Sequence, residues 1–181
     1  MITVCVDDND TVYIANCYPY TYSDCQIYLQ KMQKQATKSI LKRTVLCKSL
    51  AGNDLDLLLI TNFDSSEDEI AARKAIILTA RVHPGETNSS FIMQGILELL
   101  TGQDKLAKQL RNTYVFKVVP MLNPDGVIIG NYRCSLSGLD LNRQYLTPTN
   151  KTTPEIFAVK EVRVFFNMRY RWLSRLLSAG R

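Results

Sequence analysis

The stretch "KAIILTARVHPGETNSSFIMQGILELLTG", Lys74 to Gly102, carries most of the information about the fold. It opens with a continuous apolar run from Lys74 to Val82, the length and character of a strand buried on both faces. The run breaks at "HPGE", where a Pro-Gly pair makes a tight turn. Cap-competent residues follow, then Phe91, Ile92, Ile96, Leu99 and Leu100 at helical spacing, with Gly102 as the stop.

Downstream, "LRNTYVFKVVPMLNPDG" supplies another buried strand, Tyr114 to Met121, closed by an Asn-Pro-Asp-Gly turn signal. Strand, helix, strand is the grammar of an α/β layered fold with a largely buried sheet. In such sheets chemistry gathers at the carboxyl ends of the strands, and His83 and Asn123 each stand at one.

Upstream, a β-branched and aromatic run, "TVYIANCY", meets Pro19. Ser23 or Asp24 then caps a helix with Ile27, Tyr28 and Met32 on its apolar positions. "TVLCKSLAGNDLDLLLITN" reads as a hairpin, two strands joined by a Gly-Asn-Asp turn. "FDSSEDEIAARK" reads as a polar, acidic connector. There is no internal repeat or low-complexity tract, and the composition shift at Glu161 is the one clear boundary.

Composition narrows the function classes. The chain has 181 residues, enough for one domain with a real core. No apolar run approaches the roughly 20 residues that span a bilayer, so no transmembrane segment is expected. The acidic start, with Asp7, Asp8 and Asp10, does not resemble a secretory leader. Cys5, Cys17, Cys25, Cys47 and Cys134 form an odd set without a C-x-x-C pair, which suits reduced thiols and a cytoplasmic setting. The formal net charge of +5 is misleading, because residues 1–160 carry 17 basic and 16 acidic side chains. The excess lies in "EVRVFFNMRYRWLSRLLSAGR", Glu161 to Arg181, so nucleic acid is not an expected partner of the body.

Three short motifs carry candidate chemistry. Catalytic zinc takes three protein ligands from His, Asp and Glu and leaves a position open for water. From a single loop, His83 and Glu86 could point at one ion, although the pattern is short and also fits a structural histidine. "NPDG" has the plain reading of a turn. In "NYRCSLSGLDLNRQY", Arg133, Asn142 and Arg143 stand close together in a Gly- and Ser-rich segment, and a guanidinium offers a planar fork to a carboxylate.

Their order says more than any one of them. H-x-x-E after a strand, a helix, N-P-D-G after the next strand, then D-L-N-R resembles zinc metallocarboxypeptidases of the carboxypeptidase A type. The wording of "PYTYSD", "LAGND", "ARVHPGETNSS" and "VVPMLNPDGVIIGNYRCSLSGLDLNRQ" is similar to the cytosolic carboxypeptidase branch, over roughly Tyr13 to Lys160. The resemblance implies the front half of a three-layer α/β/α domain with a mixed, mostly buried sheet. It implies that His83 and Glu86 are zinc ligands, that Arg133 is catalytic, polarising the scissile carbonyl, and that Asn142 and Arg143 hold the substrate's terminal carboxylate. The implied activity is removal of C-terminal residues, glutamate from acidic tails such as those of tubulin. An aspartoacylase-like deacylase shares H-x-x-E and an Asn-Arg element, but "PYTY" and "NPDG" argue against it.

The chain also departs from the family. The third zinc ligand is a histidine in an H-G-H-like segment, yet His83 is the only histidine here. The general-base glutamate has no counterpart either. On this reading residues 1–20 end a preceding β-sandwich domain, 21–160 are a partial catalytic domain, and 161–181 are a divergent basic tail. The tail suits an alternative ending, or a basic amphipathic helix presenting Phe165, Phe166, Trp172, Leu173, Leu176 and Leu177 to a partner or membrane surface. The expectation is that the isolated chain binds zinc weakly and releases no glutamate. The alternative is an inactive truncated isoform or a binding module that keeps Arg133, Asn142 and Arg143 for acidic C-terminal tails.

Overall fold

The computed structural model describes Cys5 and residues 7–164. Residues 7–19 contain no strand, although the resemblance placed the end of a β-sandwich there, and Tyr13 and Ile14 are exposed. The readings made for residues 165–181 lie outside the described residues.

The first helix, α1, spans Tyr22–Gln35. Its cap is Thr21, not Ser23 or Asp24, and Asp24 closes a reciprocal capping box from the third helical position. Cys25, Leu29 and Met32 form its buried stripe, while Ile27, expected on that stripe, faces solvent. The hairpin forms as read, with β1 at Leu41–Lys48 and β2 at Asp54–Ile60 paired antiparallel around an irregularity between Val45 and Cys47. The acidic connector contains a short helix, α2, Glu67–Ala72, because Ser66 and Glu69 make a capping box. A connector reading missed the S-x-x-E signal.

Next come β3 at Lys74–Thr79, α3 at Thr87–Thr101, α4 at Lys105–Thr113 and β4 at Tyr114–Val119. Strands β3 and β4 pair parallel, joined by the two helices, as the strand-helix-strand reading requires. The sheet order is β1-β2-β4-β3, so it is mixed. The central strands β2 and β4 are buried, but β3 is only half-buried. It has a neighbour on one side among the described residues, and an aperiodic apolar run does not distinguish an edge from a centre.

Helix α3 turns Met93, Leu97 and Leu100 inward and leaves Phe91, Ile92 and Leu99 exposed. Its stop, Gly102, is extended rather than left-handed. The last helix among the described residues, α6, spans Pro154–Val164 and so continues across the composition boundary at Glu161, with Val162 buried.

Each face of the sheet has its own core. Leu29, Met32, Leu58, Ile60, Leu97, Phe116 and Val118 join α1 and α3 to one face. On the opposite face Leu55, Leu57, Val119, Ile156, Val159 and Val162 join α6 to the strands. Helices on both faces of a mixed sheet make the three-layer α/β/α arrangement. The second face also buries two charged side chains. Lys117 is 1% exposed, and burial pushes its amine down to about 8. Glu155 is 2% exposed, and burial, aided by the field of Asp125, pushes its carboxyl up to about 7.

Candidate active site

Three loops meet at the carboxyl ends of β3 and β4. The chain leaves β3 through Ala80, whose N–H donates to the Val119 carbonyl at 3.1 Å and whose carbonyl accepts from Leu122 N–H at 2.9 Å. These bonds carry the parallel pairing past both strands. They align "ARVHPGE" with "MLNPDG".

The second motif is not an isolated turn. Asn123 caps a helix, α5, Pro124–Ile129, with Pro124 at its first turn, where a missing N–H costs nothing. The Asn123 side chain is fully buried. Its Oδ1 accepts from Gly126 N–H at 3.0 Å, and its Nδ2 donates to the Val82 carbonyl at 3.2 Å. One amide therefore caps α5 and ties it to the residue before His83. Asp125, also buried, accepts from Ser49 Oγ at 2.5 Å, Ala51 N–H at 2.9 Å and Asn53 Nδ2 at 2.8 Å. That carboxylate anchors the β1–β2 turn, "LAGND", to the helix that "NPDG" begins.

Close approach accounts for two glycines. Gly85 N–H donates to the Tyr132 carbonyl at 2.8 Å, and a Cβ on Gly85 would lie 2.5 Å from the Tyr132 ring. A Cβ on Gly126 would lie 2.4 Å from Pro84 Cγ and 2.9 Å from the Cys134 carbonyl oxygen. Both contacts lie well inside ordinary van der Waals separation, so only hydrogen fits.

His83 is 7% exposed and sits between two carboxylates. Its Nδ1 is 2.9 Å from Glu86 Oε1, and its Nε2 is 3.1 Å from Asp140 Oδ1. A neutral imidazole has a single N–H and cannot donate to both. A doubly protonated ring would donate to both; with Nε2–H alone donating to Asp140, the Nδ1 lone pair faces Glu86, and the two could hold a cation between them. The donor set fits zinc on that ground, because His and carboxylate are its usual hydrolase ligands. A carboxylate on the far ring nitrogen is the usual support for a metal-bound histidine. The fit stops at two donors. Among the described residues no group of three His, Cys, Asp or Glu side chains could hold an ion.

Asp140 was not singled out by the sequence, although it lies within "DLNR". It caps the short 3-10 turn Leu141–Arg143, accepting from Asn142 N–H at 2.9 Å. Its other oxygen accepts from Arg133 Nε at 2.9 Å and pairs with Nη2 at 2.8 Å. Burial raises the Asp140 pKa, but the bonds from His83, the Asn142 backbone and Arg133 outweigh it and hold the carboxyl below its ordinary value. A residue linking histidine to arginine would have been visible from sequence only as a cap-competent Asp before a turn.

The structure thus brings His83, Glu86 and Arg133 together through Asp140. Asn142 and Arg143 stand exposed on the adjoining 3-10 turn, held by Leu141, which is fully buried. The family model described as "Zinc carboxypeptidase" matches residues 26–161. The chain belongs to the zinc carboxypeptidase family.

Within that family it is similar to cytosolic carboxypeptidase 2 of Mus musculus, 51% identical over 156 residues that make up 86% of this chain and 18% of the relative. It is 51% identical over 154 residues to cytosolic carboxypeptidase 3 of Bos taurus, covering 84% of this chain and 15% of that one. The chain thus spans about a fifth or less of the length of these curated relatives. The metallo-carboxypeptidase of Burkholderia cenocepacia superposes with a TM-score of 0.70 at 28% identity, over 80% of this chain and 38% of that structure. The family's metal is zinc, as its description states.

Proposed function

We propose that this chain carries part of a zinc carboxypeptidase active site, with His83 and Glu86 as metal ligands and Asp140 supporting His83. The observation that carries the proposal is the single imidazole held between Glu86 and Asp140, with Arg133 on the same aspartate. Zinc, when bound there, would supply Lewis acidity and an activated water. The chain's own residues do the rest. Arg133, half-exposed beside Asp140, would support the oxygen of the scissile carbonyl. Asn142 and Arg143, exposed on a turn with a buried anchor, would hold a terminal carboxylate.

The substrate we assign is the C-terminal glutamate of acidic peptide tails, such as those of tubulin, in the cytoplasm. Two features support it: resemblance to relatives named cytosolic carboxypeptidases, and the exposed side chains of Arg133, bound to Asp140, and of Asn142 and Arg143 on the turn that Asp140 caps. No described helix is long and apolar enough to cross a membrane. The test is glutamate release from a peptide ending in several glutamates, with zinc added, against the same peptide with an amidated C-terminus. With two zinc donors among the described residues the isolated chain is expected to release none; release confined to the free carboxylate, and lost on Arg143→Ala, would instead show an active chain. Release from both peptides would overturn the assignment of Asn142 and Arg143.

A second reading rests on the two-donor count. With no third ligand among the described residues, the same surface would serve as a binding module for acidic C-terminal tails. Calorimetry with zinc added separates the two: binding of the glutamate peptide with no glutamate released supports the module.

A further inference from the structure

Arg81 stands two residues before His83 in an unusual state. Its backbone is left-handed, φ 56°, which a residue with a long side chain rarely adopts and which gathers at functional sites. Its side chain is 4% exposed, yet the partners it meets are neutral. Nε donates to the Pro84 carbonyl at 2.8 Å, Nη1 donates to Ser90 Oγ at 2.9 Å, and the guanidinium lies 6.0 Å from the centre of the Tyr20 ring. A buried cation whose partners among the described residues are all neutral is a poor device for stability, since burying a charge without an opposite charge is costly and an apolar side chain of similar volume would serve at least as well.

The partners explain the expense. Pro84 lies inside the His83–Glu86 turn, and Ser90 lies in the first turn of α3, just beyond it. The backbone of Arg81 makes a parallel clamp: its N–H donates to Ser89 Oγ at 3.1 Å, and that hydroxyl donates to the Glu86 carbonyl at 2.8 Å. The far side of the turn needs this support, because Glu86 caps α3 without a side-chain cap bond, which leaves its carboxylate facing His83. Left-handed backbone at residue 81 aims the chain so that guanidinium and amide reach both ends of one turn.

We infer that Arg81 is a positioning residue, whose guanidinium fixes the spacing of His83 Nδ1 and Glu86 Oε1 by bracing the Pro84 carbonyl against Ser90. The inference rests on reading His83 and Glu86 as the metal-holding pair. The two are tested separately on the full chain with two readouts: zinc affinity by competition with a chromophoric chelator, and the ring nitrogen resonances of His83 at one fixed pH. The single histidine gives one set of ring signals.

Arg81→Asn keeps tolerance of the left-handed backbone but loses the reach. It is expected to weaken zinc binding about tenfold, the lower end for lost support around a metal ligand, and to move the ring signals. Arg81→Lys keeps the charge and one donor and is expected to recover part of both. A folded Arg81→Asn with wild-type affinity and wild-type ring signals overturns the inference. If Arg81→Asn does not fold, Arg81→Lys decides it, and wild-type values in both readouts overturn it. Should Glu86→Gln leave zinc affinity unchanged, the metal reading fails, while the ring signals of the Arg81 variants still decide whether Arg81 sets the geometry of the turn.

Discussion

Adding one methyl group at Gly126 tests whether close approach holds the site loops together. Gly126 lies inside α5 with ordinary helical backbone, so helix propensity alone makes Gly126→Ala stabilising by up to about 1 kcal/mol. Packing predicts the opposite sign. The new Cβ would lie 2.4 Å from Pro84 Cγ, 2.8 Å from Asn123 Oδ1 and 2.9 Å from the Cys134 carbonyl oxygen. Carbon pairs settle near 3.5–4.0 Å, so the Pro84 contact must open by roughly 1 Å. Its neighbours are a ring, a capping side chain and a backbone carbonyl, none of which can swing away cheaply. Overpacking against rigid groups belongs near the top of its usual range, about 3 kcal/mol, which leaves a net loss of about 2 kcal/mol after the propensity gain. For a chain of this size that lowers Tm by roughly 4–8 °C. Gly95→Ala is the control. Gly95 is exposed in the middle of α3, and a Cβ there would meet nothing within 4 Å, so propensity acts alone and Tm should rise by a few degrees. Thermal and urea denaturation followed by circular dichroism read both. A Gly126→Ala chain at least as stable as wild type, alongside a stabilised Gly95→Ala, would refute the argument.

Asp140→Asn removes the carboxylate shared by His83 and Arg133, and should lower zinc affinity by about 10- to 100-fold in chelator competition while Asn142 N–H keeps an acceptor. Glu155 gives a pH signature. Its carboxyl is raised from 4.5 to about 7 in the folded chain, so the native state holds its proton more tightly than the unfolded one. Its contribution is therefore fully present below pH 4.5 and lost as pH rises through 7. Urea titrations at pH 5 and pH 8 should show Glu155→Gln with a smaller loss across that interval than wild type. Identical slopes would dismiss the buried carboxyl, whose Oε2 has no hydrogen-bond partner among the described residues. Thiol labelling of the native chain at pH 8 should modify Cys5 and Cys17, which are exposed, ahead of Cys25 and Cys47, whose thiols burial pushes to about 12. Rapid native labelling of Cys25 would contradict its place in the core.

Local pattern determined a good deal of this protein. The apolar runs, the Gly-Asn-Asp turn and the helical spacing of residues 91–100 were enough to read a hairpin and a parallel strand-helix-strand unit, because both depend on short-range chemistry. The order of "HPGE", "NPDG" and "DLNR" pointed to the family in the same way. Errors arose where a decision belonged to a neighbour distant in sequence. Phe91, Ile92 and Leu99 satisfy the helical period but face solvent, since the position of the sheet decides which stripe is buried. Strand β3 reads like a central strand but lies at an edge of the described sheet.

The site divides along the same line. Sequence alone could nominate His83, Glu86, Arg133, Asn142 and Arg143, because residue types at motif spacing advertise their chemistry. Only the tertiary structure decided that Asp140 joins His83 to Arg133, that "NPDG" begins a helix, and that Gly85 and Gly126 are needed for contact rather than for backbone freedom. Each of those depends on a distance between loops that are far apart in the chain and that only packing brings together.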